Sequence, residues 1–241
     1  MSVGSRNPEI GRRVATGDLT TNYHDVGEGP TVLLMHGSGP GVSAWANWRL
    51  TIAALQDRFR LIAPDFAGFG FTKVPDDIEY TRERWLRQVV DLMDALGIEK
   101  ASVVGNSFGG SMALALAIAH PERVDRLVLM GAVGVPFEIT PGLDAVWGYE
   151  PSLEAMGTLM RETFAHDPGL ITDELVAMRY AASTRPGVQE KFAAMFPAPR
   201  QRWVDAMAHP EAAIRALPHR TLLVHGRDDK VIPVSTTLTM L

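Results

Sequence analysis

The eight residues Val103-Val-Gly-Asn-Ser-Phe-Gly-Gly110 constrain this chain more than any other stretch. Ser107 stands between glycines, directly after the short apolar run Ala101–Gly105 and directly before the helix-like run Met112–Ala119. A strand, a sharp turn and a helix in succession form the context in which G-x-S-x-G holds a serine hydroxyl exposed at the tip of the turn. Any side chain beyond hydrogen at Gly105 or Gly109 would crowd the neighbouring strand and helix backbones. A serine nucleophile on an α/β scaffold is the reading this block supports.

The rest of the chain alternates short apolar runs with longer amphipathic ones, the pattern of an α/β fold with a mostly parallel sheet. Strands are expected at Arg13–Thr16, Thr20–Val26, Val32–His36, Arg60–Ala63, Ala101–Gly105, Arg126–Gly131 and Thr221–His225. Helices are expected at Trp45–Leu55, Arg82–Leu96 and Gly110–Ala119. The second carries Trp85, Val89, Leu92 and Leu96 on one face, and Gly97 supplies its stop. Between about Pro136 and Pro218 the alternation ceases. Ser152 to Met195 is helical in pattern, with Leu153, Met156, Leu159, Met160 and Phe164 along one stripe, and two prolines break helix near Ala193–Pro199. The expected organisation is a core of residues 1–135 and 219–241 with a helical lid at 136–218.

Three loops follow strand ends, where α/β sheets place their sites. His36-Gly-Ser-Gly-Pro-Gly41 is glycine-rich enough for backbone to approach a substrate. The Ser38 N–H and the Phe108 N–H are the candidate oxyanion pair. Gly39-x-Gly41 lacks the third glycine of a dinucleotide fingerprint. Gly226-Arg-Asp-Asp-Lys-Val-Ile-Pro233 offers an acid downstream of the serine, as a triad in this chain order needs. Asp229 is the favoured buried acid, and Asp228 reads as a solvated turn residue.

Composition removes other classes. A net charge of −5 lacks the basic footprint that nucleic acid or an anionic membrane requires. No run approaches eighteen apolar residues, and Met1–Thr20 has no apolar signal core. Without cysteine there is neither disulfide nor thiol catalysis, which fits a cytoplasmic setting. No cofactor and no metal is expected.

With these loops in view the sequence resembles the meta-cleavage-product hydrolases, carbon–carbon bond hydrolases of the α/β-hydrolase fold in bacterial degradation of aromatics. The likeness rests on His36–Gly41, on Trp45-Ala-Asn-Trp48, on the elbow Gly105–Gly110, and on the longer blocks Gly131–Tyr149 and Phe196–Asp205. It runs from about Glu9 to about Pro233, and the longer blocks are most similar to the branch acting on 2-hydroxymuconate semialdehyde. The resemblance implies a small 2-hydroxy-6-oxo-2,4-dienoate substrate and a homo-oligomer. It implies that Arg179, on a lid helix Asp173–Ala182, clamps the substrate carboxylate. Asn47 and Asn106, with Gly37 and Gly39, would stand near the dienoate head. The implied reaction is enol-to-keto tautomerisation, attack on the far carbonyl by Ser107 or a water it activates, and C–C cleavage. A general carboxylesterase, or a ligand-binding protein on a hydrolase scaffold, are the competing readings. An aspartate-nucleophile dehalogenase or epoxide hydrolase is disfavoured by Ser107.

One element of a triad is missing. The base histidine should follow the acid, yet none of the seven histidines lies after Asp229. His225 closes the strand before the acid and is a poor substitute. The family's last strand and helix are missing as well, which leaves Thr221–His225 as an unprotected edge. The expectation is a C-terminally shortened form, about 40 residues below the family length, with very little hydrolase activity.

Overall fold

The computed structural model describes residues 7–241. Seven strands form one sheet: β1 (Arg12–Thr16), β2 (Leu19–Val26), β3 (Thr31–Met35), β4 (Arg60–Pro64), β5 (Ala101–Asn106), β6 (Val124–Met130) and β7 (Arg220–Val224). Their order is β1-β2-β4-β3-β5-β6-β7. β2 pairs antiparallel with β1 and β4, and the pairs from β4 through β7 are parallel.

The period of two along β3 divides the core. Val32 and Leu34 face α1 (Ala44–Leu55), where Trp48 and Ile52 are buried against them. Leu33 and Met35 face the other layer, made of α2 (Arg82–Ala95) and α3 (Phe108–Ala119). α3 is apolar nearly all round and buries ten of its residues, as a helix covered on most sides must. Each large apolar side chain buried here contributes roughly 1.5–3 kcal/mol. α2 buries Trp85, Val89 and Leu92, and Gly97 ends it with φ +64°.

Between β6 and β7 the described chain contains no strand. It forms α4 (Pro141–Trp147), α5 (Leu153–Thr158), a π-helical turn at Leu159–Phe164, α6 (Asp173–Ser183), α7 (Val188–Met195), α8 (Gln201–Met207) and α9 (Glu211–Arg215). The single stripe expected along this region is not continuous. Met156, Leu159 and Met160 are buried, but Leu153 and Phe164 are half exposed. At Phe164 the π-turn accounts for the difference, since i→i+5 bonding widens the helix and rotates that side chain out of register. After β7 a short α10 (Ser235–Thr239) follows.

β7 has β6 as its one strand partner among the described residues. Leu222 is 58% and Val224 43% exposed on the same face of this edge. Among the described residues, no helix is long and apolar enough to cross a membrane.

Candidate active site

β5 ends and α3 begins around Ser107, whose φ of +53° and ψ of −115° make it the one non-glycine with positive φ among the described residues. Backbone bonds fix this strained turn. The Ser107 N–H donates to Met130 O at 2.9 Å, and its own carbonyl accepts from the Gly110 and Val133 N–H groups. A Cβ on Gly105 would lie 2.4 Å from Gly109 O, and one on Gly109 would lie 2.2 Å from Met35 O. The turn therefore has room for hydrogen alone at both positions.

Ser107 opens into a cavity of about 1040 Å³. Gly37, Ser38, Gly39, Asn47, Asn106, Arg179 and Asp229 line the same space, so the three strand-end loops and the lid helix converge there. Phe108 is not among the residues lining the cavity, and its ring is fully buried among Phe66, Phe69 and Trp85. Among the described residues, neither the Ser38 N–H nor the Phe108 N–H has an acceptor. Leu143, Val146, Met156, Met160 and Ile232 supply apolar wall. A mostly apolar cavity with a few convergent polar groups suits a small acid with an unsaturated tail.

The two asparagines act as one unit. Asn47 Oδ1 accepts from the Gly37 N–H at 3.0 Å and from Asn106 Nδ2 at 3.1 Å. Arg179, on α6, donates from Nη2 to Gly41 O at 2.9 Å. No carboxylate lies within ion-pair distance of it among the described residues, and desolvation holds its guanidinium below the usual pKa. A guanidinium bonded only to a neutral carbonyl keeps donors free for a carboxylate entering the cavity.

Asp229 differs from its expected state, since it is not buried. Its side chain keeps 26% exposure. Oδ1 is occupied by the Val231 and Ile232 N–H groups at 2.8 and 2.9 Å. Oδ2 lies 3.5 Å from His225 Nε2. That imidazole is engaged elsewhere: Nδ1 bonds Thr237 Oγ1 at 2.6 Å and Nε2 bonds Ile232 O at 2.9 Å. It does not line the cavity, whereas His166 of the lid does. Asp228 pairs with its neighbour Arg227 in solvent.

Several supports carry no sequence signal. Trp147 Nε1 donates to Ser38 Oγ at 3.0 Å while its ring stacks on Phe196, centroids 4.4 Å apart. Lys230 Nζ donates to Glu162 O in the π-turn, and Thr140 Oγ1 donates to Val231 O. With Arg179, these bonds tie the lid to two of the three site loops. His36 is wholly buried: Nδ1–H donates to Gly37 O and Nε2 accepts from the Phe66 N–H. Burial pushes its pKa down to about 4. Asp65, also wholly buried, accepts from the Ala44 N–H, the Phe71 N–H and Asn22 Nδ2. Desolvation outweighs those bonds and raises its pKa to about 6. The aspartate thereby caps the first turn of α1, the helix that carries Asn47.

Comparison with known proteins agrees with this architecture. Residues 30–241 match the family model for the alpha/beta hydrolase fold. The chain is 58% identical over 240 residues to a 2-hydroxymuconate semialdehyde hydrolase of Pseudomonas sp. strain CF600, covering 100% of this chain and 84% of that protein. It is also 58% identical over 234 residues to a 2-hydroxy-6-oxo-2,4-heptadienoate hydrolase of Pseudomonas putida strain F1, covering 97% and 84%. Among solved structures, a serine-to-alanine mutant of the meta-cleavage product hydrolase CumD of Pseudomonas fluorescens IP01, complexed with acetates, superposes with a TM-score of 0.95. That pair shares 55% identity and covers 97% of this chain and 86% of the other. An elbow serine, a glycine-rich loop and a lid arginine around one cavity, on a scaffold this similar, place the chain in the α/β-hydrolase family, among the meta-cleavage product hydrolases.

Proposed function

We propose that this chain is a serine hydrolase acting on the carbon–carbon bond beside the distal carbonyl of 2-hydroxy-6-oxo-2,4-dienoates, of the 2-hydroxymuconate semialdehyde type. The observation that carries the reading is the cavity itself, which brings the strained Ser107 elbow together with a guanidinium that meets no carboxylate among the described residues and with a bonded asparagine pair.

In this reading Arg179 holds the substrate carboxylate, and the Asn47–Asn106 pair faces the 2-hydroxy head. Ketonisation of the dienol turns the conjugated chain into an electron sink, so the bond beside the distal carbonyl can break. The Ser38 and Phe108 N–H groups take the developing oxyanion at that carbonyl. Each such donor is worth roughly 2.7–4 kcal/mol in the transition state. Asp229 is the acid that would orient an imidazole taking the proton of Ser107.

Among the described residues His225 is held by Thr237 and Ile232 and does not line the cavity. The test follows the visible absorbance of 2-hydroxymuconate semialdehyde mixed with the purified protein. Turnover that Ser107→Ala abolishes is the expected result. Turnover unchanged in Ser107→Ala would overturn the assignment of the nucleophile. Faster hydrolysis of an aryl acetate than of the dienoate would overturn the substrate assignment in favour of an esterase.

A further inference from the structure

Behind the cavity wall, an acidic residue and Arg179 grip the same short turn. Gly41 O holds Arg179 Nη2 at 2.9 Å. Two residues on, the Ser43 hydroxyl donates to Glu9 Oε2 at 2.7 Å while accepting from the Ala46 N–H as the cap of α1. Glu9 is itself fixed, with its N–H on Asn7 Oδ1 and its carbonyl on Asn22 Nδ2. It does not line the cavity. Arg49 and Arg185 add positive charge near Arg179, and Glu9 is the acid that opposes it.

We propose that Glu9 is a specificity-determining residue that weakens the hold of Arg179 on a ligand carboxylate. The charge on Glu9 subtracts from the positive field that the guanidinium presents to the cavity, and it repels an incoming anion directly. The inference rests on the reading of Arg179 as the carboxylate clamp. Its chemical sense comes from the reaction. The carboxylate does not change during cleavage, so its binding energy is the same for substrate, transition state and the fragment that retains it. Binding of that uniform kind does not speed the chemical step. A clamp at full strength would only retard release of the fragment. Glu9 would set the clamp at a strength from which product departs.

The test uses the 241-residue chain and two stable probes: sorbate (2,4-hexadienoate) and its uncharged counterpart 2,4-hexadien-1-ol, titrated calorimetrically. Glu9→Gln keeps an oxygen for the Ser43 hydroxyl and removes only the charge. The expected result is sorbate binding about three- to tenfold tighter in Glu9→Gln, with affinity for the alcohol unchanged. A merely structural role for Glu9 would not tighten binding of one probe alone. Unchanged or weaker sorbate binding in Glu9→Gln, or an equal change for both probes, overturns the proposal. Arg179→Gln separates the two claims. Loss of sorbate binding there leaves the clamp standing whatever Glu9 does, and retention of it overturns clamp and Glu9 proposal together.

Discussion

Asn106 Nδ2 donates to Asn47 Oδ1 across 3.1 Å, joining the nucleophile elbow to the first turn of α1. The same oxygen accepts the Gly37 N–H, so one carbonyl aligns the elbow and the glycine-rich loop. Removing it strands two donors in the cavity wall. Asn47→Ala is expected to lower unfolding stability by about 1–3 kcal/mol in urea titrations. Asn47→Asp keeps the acceptor but adds a negative charge beside the proposed carboxylate site. It is expected to stay near wild-type stability while binding sorbate about tenfold more weakly. Equal behaviour of the two variants would show that the bond does not matter here.

The elbow carries backbone strain at Ser107. With φ +53° and ψ −115°, Ser107 occupies backbone space that L side chains avoid, at a cost of roughly 1–3 kcal/mol. Ser107→Gly removes the Cβ conflict and is expected to raise stability by about 1 kcal/mol, while Ser107→Ala leaves it nearly unchanged. Thermal unfolding of the three chains is the check. A Ser107→Gly chain no more stable than wild type would mean that the turn is not strained.

Two buried groups make opposite demands on acid stability. His36 has its pKa pushed from 6.5 down to about 4, so its contribution is full above pH 6.5 and is lost as pH falls towards 4. Asp65 is raised from 3.8 to about 6, so its contribution is full below pH 3.8 and is lost as pH rises through 6. Each is worth about 2–3 kcal/mol across this window, so the pair nearly offsets in the wild type. Urea midpoints between pH 4 and 7 should therefore change little on account of these two groups. In Asp65→Asn the His36 dependence is unmasked and stability falls on acidification. In His36→Gln the Asp65 dependence is unmasked and stability rises on acidification. Parallel pH profiles for both variants would refute the assignment.

What the sequence displays, and what it hides, divides along contact range. The period of two in Val32–Met35 and the unbroken apolar run of α3 are local signals, and the strands and core helices fall within a residue or two of where they were expected. The three strand-end loops were legible for the same reason: glycine spacing and strand ends fix them, and they meet at one cavity. Trp147 and Ser38 lie 109 positions apart, and Glu9 and Ser43 lie 34 apart, so no spacing rule joins them. Asp65 carries no sequence signal, because an aspartate after a strand looks solvated and two of its three donors, Asn22 and Ala44, come from distant positions. The π-turn at Leu159–Phe164 has the composition of ordinary helix, so its sequence does not set it apart. The partial exposure of Asp229 has no sequence signal either, since loop spacing does not tell how much of a side chain solvent reaches.

The bonds that fasten the lid differ in what they ask of evolution. Those from Arg179, Lys230 and Thr140 end on the main-chain oxygens of Gly41, Glu162 and Val231, an atom that every amino acid possesses. The identities of residues 162 and 231 can drift without unfastening the lid at those points. The link between Trp147 and Ser38 joins side chain to side chain, so neither partner can be exchanged alone without loosening the glycine-rich loop. Positions 38 and 147 should accordingly change as a pair when lids of this kind diversify, while the other fastenings persist through substitution.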